Sequence, residues 1–160
     1  MNSYFMGNRM AAASFRSEQG LEWLGAPDAA SGRALPMYLN TVAAGFPSPA
    51  QDYLEGCLDL HELLIRHPTA TFFVRARGDS MRGAAIFDGD ILLVDRALQA
   101  QHQDIVIASV NGDMTVKRLL LKPEPMLQAA NPKYPPIRLD DGLDFEVFGV
   151  VSSVIHQLKR

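Results

Sequence analysis

Asn111-Gly112 is the feature that most restricts how this chain folds. An Asn-Gly pair favours the left-handed backbone of a two-residue hairpin turn, and such turns join antiparallel strands. Apolar, β-favouring runs lie on both sides, 104–110 before it and 114–121 after it. Further short runs of the same kind cover 71–76, 90–95, 126–129 and 145–155, separated by Gly, Pro, Asn and Asp. Six short strands with little helix predict a mainly β fold, compact and strongly bent. The one helical stretch expected is Leu60 to Ile65, which ends near Pro68.

Residues 1–43 read differently. Methionines are scattered among Ala, Gly, Ser and Asn, with no clean helical or strand period. Phe15, Leu21, Trp23 and Leu24 form one apolar cluster that Gly25-Ala26-Pro27-Asp28 breaks, and Leu35 to Val42 suits a short extended piece. The segment is therefore expected to be an arm, loosely folded or packed on the main body. It lacks the three patterned helices of a helix-turn-helix domain. Phe46-Pro47-Ser48-Pro49 then forms a stiff extended linker, because proline fixes φ and restricts the residue before it.

With 160 residues and 48% apolar content, the chain can bury a core. A net charge of −3 argues against a strongly basic nucleic-acid surface. No apolar run approaches the roughly 18 residues of a membrane span. The single cysteine, Cys57, cannot form an internal disulfide, which fits a reducing, cytoplasmic setting. It is expected to be a small, partly buried hydrophobe.

Two residues carry candidate chemistry. In Gly78-Asp79-Ser80-Met81 the first pair can bend the chain sharply, and Met81-Arg82 can open a short helix. Backbone N–H groups at Ser80 and Met81 would then suit an oxyanion. The plainer role for Ser80 is a helix cap. In Met114-Thr115-Val116-Lys117-Arg118-Leu119, strand alternation turns either Lys117 or Arg118 inward. A solvated lysine on an edge strand explains the same pattern. Only Lys117 can act as a base, since arginine does not lose its proton, and it can do so only where burial disfavours its charge. A serine needs such a base to become a nucleophile. His61, His67, His102 and His156 have no local context for a Ser-His-Asp arrangement, and Asp88-Gly89-Asp90 reads as a turn entering a strand, not as a metal loop.

Phe46-Pro47-Ser48-Pro49-Ala50-Gln51-Asp52-Tyr53, Leu63-Leu64-Ile65, Gly78-Asp79-Ser80-Met81, Asp88-Gly89-Asp90, Val116-Lys117 and Phe148-Gly149-Val150-Val151 fall in one order along the chain. In that order they resemble the UmuD-type members of the LexA-type (S24) self-cleaving serine peptidases, from about Gly45 to the C-terminus. The resemblance implies that Ser80 is the nucleophile and Lys117 the general base, and that Ala44-Gly45 is the bond cut. It implies an N-terminal arm, 1–44, removed from a peptidase and dimerisation domain, 45–160. Cleavage stimulated by the RecA filament on single-stranded DNA is also implied, with the trimmed homodimer serving a UmuC-like Y-family translesion polymerase in the SOS response. No metal, cofactor or sequence-specific DNA contact is implied. UmuD itself has cysteine where this chain has Ala44, as LexA repressors do, and its arm is shorter. Other readings are a non-enzymatic polymerase-binding module, a LexA-like repressor and a signal-peptidase relative.

Overall fold

Asn111 and Gly112 adopt φ values of 51° and 88°. The turn they make pairs Val110 with Asp113, and the two strands that leave it stay in register as far as Ile105 and Arg118. A computed structural model describes residues 21–25, 35–38, 54–140 and 142–158. Along the chain these form β1 (Leu21–Gly25), β2 (Leu35–Tyr38), β3 (Leu54–Leu58), α1 (Leu60–Leu64), β4 (Thr71–Ala76), β5 (Ile91–Asp95), β6 (Ile105–Val110), β7 (Asp113–Leu120), β8 (Met126–Gln128), β9 (Ile137–Arg138) and β10 (Phe145–Ile155). A single 3₁₀ turn spans Arg82–Ala84.

Eight strands make one sheet in the order β1-β4-β5-β10-β6-β7-β8-β9, and β2 pairs with β3 in a second. Strand β10 joins the two halves of the large sheet. It pairs with β6 through its first part and with β5 through its last. Its register shifts between Val147 and Gly149 and again between Val151 and Ser153. Such bulges bend a strand and raise its twist. The sheet curls far enough that β1 meets β7.

Curling makes two cores. One gathers Phe72, Val74, Met81, Leu92, Ile107 and Val116. The other gathers Val106, Ala108, Leu119, Leu127 and Val150. Alternation along β7 feeds both, with Val116 in the first and Leu119 in the second. The mainly β, strongly bent fold expected from the sequence is the fold observed.

Three expectations change. Lys117 is not on an edge strand, because β7 lies between β6 and β8. Cys57 is exposed rather than partly buried. Strands β1, β3 and β9 were not legible, whereas β2 coincides with the start of the extended piece expected at 35–42. Both β1 and β2 fall inside the segment 1–44 and pair with strands of 45–160. The linker at 46–49 and the Ala44-Gly45 bond lie outside the described residues.

Candidate active site

Gly78 takes a φ of 81° and turns the chain after β4. Its N–H donates to Asp88 Oδ1 at 2.7 Å, which ties the start of the turn to the Asp88-Gly89-Asp90 loop. Three residues on, Met81 is 2% exposed and anchors the segment in the first core. Ser80 is held between these fixed points. The 3₁₀ turn that follows has Met81 at its N-cap and no side-chain cap bond, so the Ser80 hydroxyl is not engaged as a cap.

Lys117 comes from the interior strand β7 and is only 9% exposed. Its Nζ donates to Thr115 Oγ1 at 2.8 Å and to the Val116 carbonyl at 3.1 Å. A third donation reaches Ser80 Oγ at 3.3 Å. Thr115 lies two residues back on the same face of the strand, so strand geometry supplies that contact. Burial pushes the Lys117 amine below the usual lysine range, because removing water penalises the charged form. Arg118 is half-buried on the opposite face. The fold thus settles which of the two cations approaches the serine.

Asp79 pairs with Asn131 and Tyr134 and not with the lysine. Tyr134 donates its hydroxyl to Asp79 Oδ1, and Asn131 Nδ2 donates to Asp79 Oδ2 at 3.2 Å and to the Asp79 carbonyl at 3.0 Å. The Tyr134 bond holds the Asp79 carboxyl below the usual carboxylate range, helped by the nearby Lys133 charge, and the same contact raises the Tyr134 phenol. Ala130 adds a backbone grip, accepting from the Gly83 N–H at 2.7 Å. The loop between β8 and β9 therefore clamps both sides of Ser80. Sequence reading did not find Asn131 or Tyr134. They sit in a Pro-rich loop with no periodic signal, and only the fold brings them to Asp79, 52 and 55 positions away.

That clamp has a testable weak point. A Cβ at Gly83 would lie 2.5 Å from the Ala130 carbonyl oxygen. Neither side of this contact is a flexible side chain, so the backbones must separate. Gly83→Ala is expected to lower unfolding free energy by roughly 1–3 kcal/mol, as overpacking does. Chemical denaturation followed by circular dichroism reads that loss.

Ser80, Lys117, Thr115, Arg77, Tyr134 and Ile137 line a cleft of about 510 Å³. The Arg82 N–H is committed to the Asp79 carbonyl at 3.2 Å. Among the described residues, the N–H groups of Ser80 and Met81 have no acceptor. Among the described residues, no histidine lines the cleft. His67 Nδ1 and Asp95 lie 2.6 Å apart, as do His156 Nδ1 and Asp90, and His102 Nδ1 accepts from the Leu121 N–H. Asp88 accepts from the Gly78 N–H across the two turns, and Asp90 accepts from the Phe87 N–H within its own turn. Among the described residues there is no cluster of three metal-ligating side chains, and no helix is long and apolar enough to cross a membrane.

Residues 36–152 match the peptidase S24-like family. The MucA protein of Salmonella typhimurium is 48% identical over 120 residues, which cover 74% of this chain and 82% of MucA. ImpA of Shigella flexneri is 48% identical over 125 residues, covering 78% of this chain and 86% of ImpA. A LexA repressor of Shewanella oneidensis is 40% identical over 107 residues. That match spans 66% of this chain but only 51% of the repressor, so the likeness stops short of the whole regulator. The chain belongs to the peptidase S24-like family, among its UmuD-type members.

Proposed function

We propose that this protein is an SOS-response autoprotease that cuts its own Ala44-Gly45 bond with Ser80 as nucleophile and Lys117 as general base. The observation that carries the reading is a buried lysine amine 3.3 Å from the hydroxyl of a serine in a cleft. Membership of a peptidase family and the likeness to MucA and ImpA support it.

The chemistry needs Lys117 neutral. The Nζ lone pair then accepts the Ser80 proton as Oγ attacks the Ala44 carbonyl carbon. Small residues on both sides of the bond let that carbon approach to about 3 Å, the range attack requires. The N–H groups of Ser80 and Met81 meet the oxyanion. As the intermediate collapses, the carbon–nitrogen bond breaks and Lys117 returns the proton to the Gly45 amine. Water then hydrolyses the Ser80 ester, losing its proton through Lys117 back to Ser80 Oγ. Thr115 and the Val116 carbonyl keep the amine aimed throughout.

The RecA filament on single-stranded DNA would accelerate the cut by favouring the docked arm. A partner that binds one conformation better shifts the population without adding chemistry. The homodimeric product would serve a Y-family translesion polymerase of UmuC type. Mass spectrometry of pure protein held at alkaline pH tests the core of this reading. The expected result is one cut that creates a new N-terminus at Gly45. A chain that stays whole, or is cut elsewhere, overturns it.

A further inference from the structure

The bond assigned to cleavage lies between two strands that pair with each other. Strand β2 ends at Tyr38 and β3 begins at Leu54, and Ala44-Gly45 falls in the connection. Leu35 pairs with Leu58, Pro36 with Cys57, Met37 with Gly56 and Tyr38 with Leu54. A cut there opens the connection of a hairpin and leaves its strand pairing untouched.

A second strand holds the same segment. β1 adds to the free edge of β4, pairing Leu21 with Ala76, Glu22 with Arg75, Trp23 with Val74 and Gly25 with Phe73. Leu21 is 4% exposed and sits in the core with Val74, Ile107 and Val116. Glu22 Oε2 lies 3.3 Å from Arg75 Nε and 3.2 Å from Arg77 Nη2. These exposed ion pairs add little to the hold, but they fix which residue faces which. Both receiving strands, β3 and β4, belong to 45–160.

We infer that cleavage nicks this protein rather than trimming it: segment 1–44 stays on the body as a non-covalent two-strand ligand of β3 and β4. The inference rests on the cleavage position proposed above. A five-residue strand alone would exchange readily once its tether is cut. Two strands on one segment behave differently. While either stays paired, the other is held near its edge at an effective concentration on the order of millimolar, and it re-pairs before the segment escapes. The cut then converts a permanent mask over the β4 edge into a displaceable one. A partner able to add an extended strand there, with an apolar residue in place of Leu21 and an acidic one in place of Glu22, competes with β1 directly.

Native mass spectrometry on the full chain tests this, with the cut made in two ways. One sample cleaves itself at alkaline pH and is returned to neutral pH. The other carries a recognition site for a specific external protease inserted between Ala44 and Gly45. Failure of the first to cut counts against the proposed chemistry, whereas the second reads retention whatever makes the cut. The expected result is that 1–44 and 45–160 travel together natively and separate in denaturant. Free 1–44 immediately after cutting, with no denaturant, overturns the inference. Leu21→Asp should speed release at least tenfold and the milder Glu22→Lys a few-fold, with circular dichroism confirming that the uncut variants are folded. Release at the parent's rate in both variants removes β1 from the proposal.

Discussion

Ser80→Ala and Lys117→Ala each leave the chain at 17.6 kDa under conditions that cut the parent protein. The expected loss for each is at least about 10⁴-fold in the rate of self-cleavage, because the proposed mechanism makes Ser80 and Lys117 the nucleophile and base of one unit. Removing Oγ deletes the atom that forms the ester. Removing Nζ deletes the amine that lies 3.3 Å from Oγ and that the proposed mechanism uses to take the serine proton. The Ser80 variant keeps its fold, since it loses one half-buried hydroxyl and a long hydrogen bond, worth about 1 kcal/mol. Thermal melting separates lost chemistry from lost structure. Residual cutting within tenfold of the parent, in a folded variant, removes that residue from the mechanism. Lys117→Arg is also expected to be inactive, because a guanidinium does not deprotonate.

The second large effect is on pH. Spontaneous cleavage should rise about tenfold per pH unit at low pH, following the neutral fraction of one amine, and then level off. Burial lowers the Lys117 pKa, so the bend must fall below the roughly 10.4 of a free lysine. A rate independent of pH from 5 to 10 sinks a lysine base. Stability follows with a definite sign. Between the lowered folded pKa and the unfolded value, the unfolded chain binds more protons than the folded one, so stability rises with pH across that window. Below it the full cost of burying a charged amine is present. Lys117→Met, which keeps most of the side chain's length and drops its charge, should therefore melt higher than the parent at neutral pH. The expected gain is roughly 2–4 °C for each kcal/mol relieved, and it should shrink as pH approaches about 10.4. A Met variant that melts lower at neutral pH and gains on the parent as pH rises contradicts a strained, buried ammonium.

These effects depend on features of unequal legibility. The hairpin at Asn111-Gly112 was readable because dihedral preference is local. Strands β4, β5, β6, β7, β8 and β10 were readable because each carries its own apolar run bounded by turn residues. Strand β1 was not. Leu21–Gly25 is a short run cut off by glycine, and its stability comes from β4, some 50 positions later. The two-residue β9 exists because β8 offers it an edge. Ser80 was singled out by its motif and Lys117 by its chemistry, yet pattern alone left Lys117 and Arg118 equivalent. Only curling of the sheet decided between them, by burying the face that carries Thr115 and Lys117 beside the turn at Ser80.

What the sequence determined by itself was the alternation, the turn and the presence of one serine and one deprotonatable cation in suitable local settings. Those follow from backbone dihedrals and side-chain chemistry, which each residue carries wherever it sits. Tertiary structure decided the rest: the burial that lowers the lysine pKa, the clamp that Asn131 and Tyr134 place on Asp79, and the pairing of β1 and β2 with the body. Desolvation and strand pairing arise only when distant segments meet, and no stretch of sequence holds them alone.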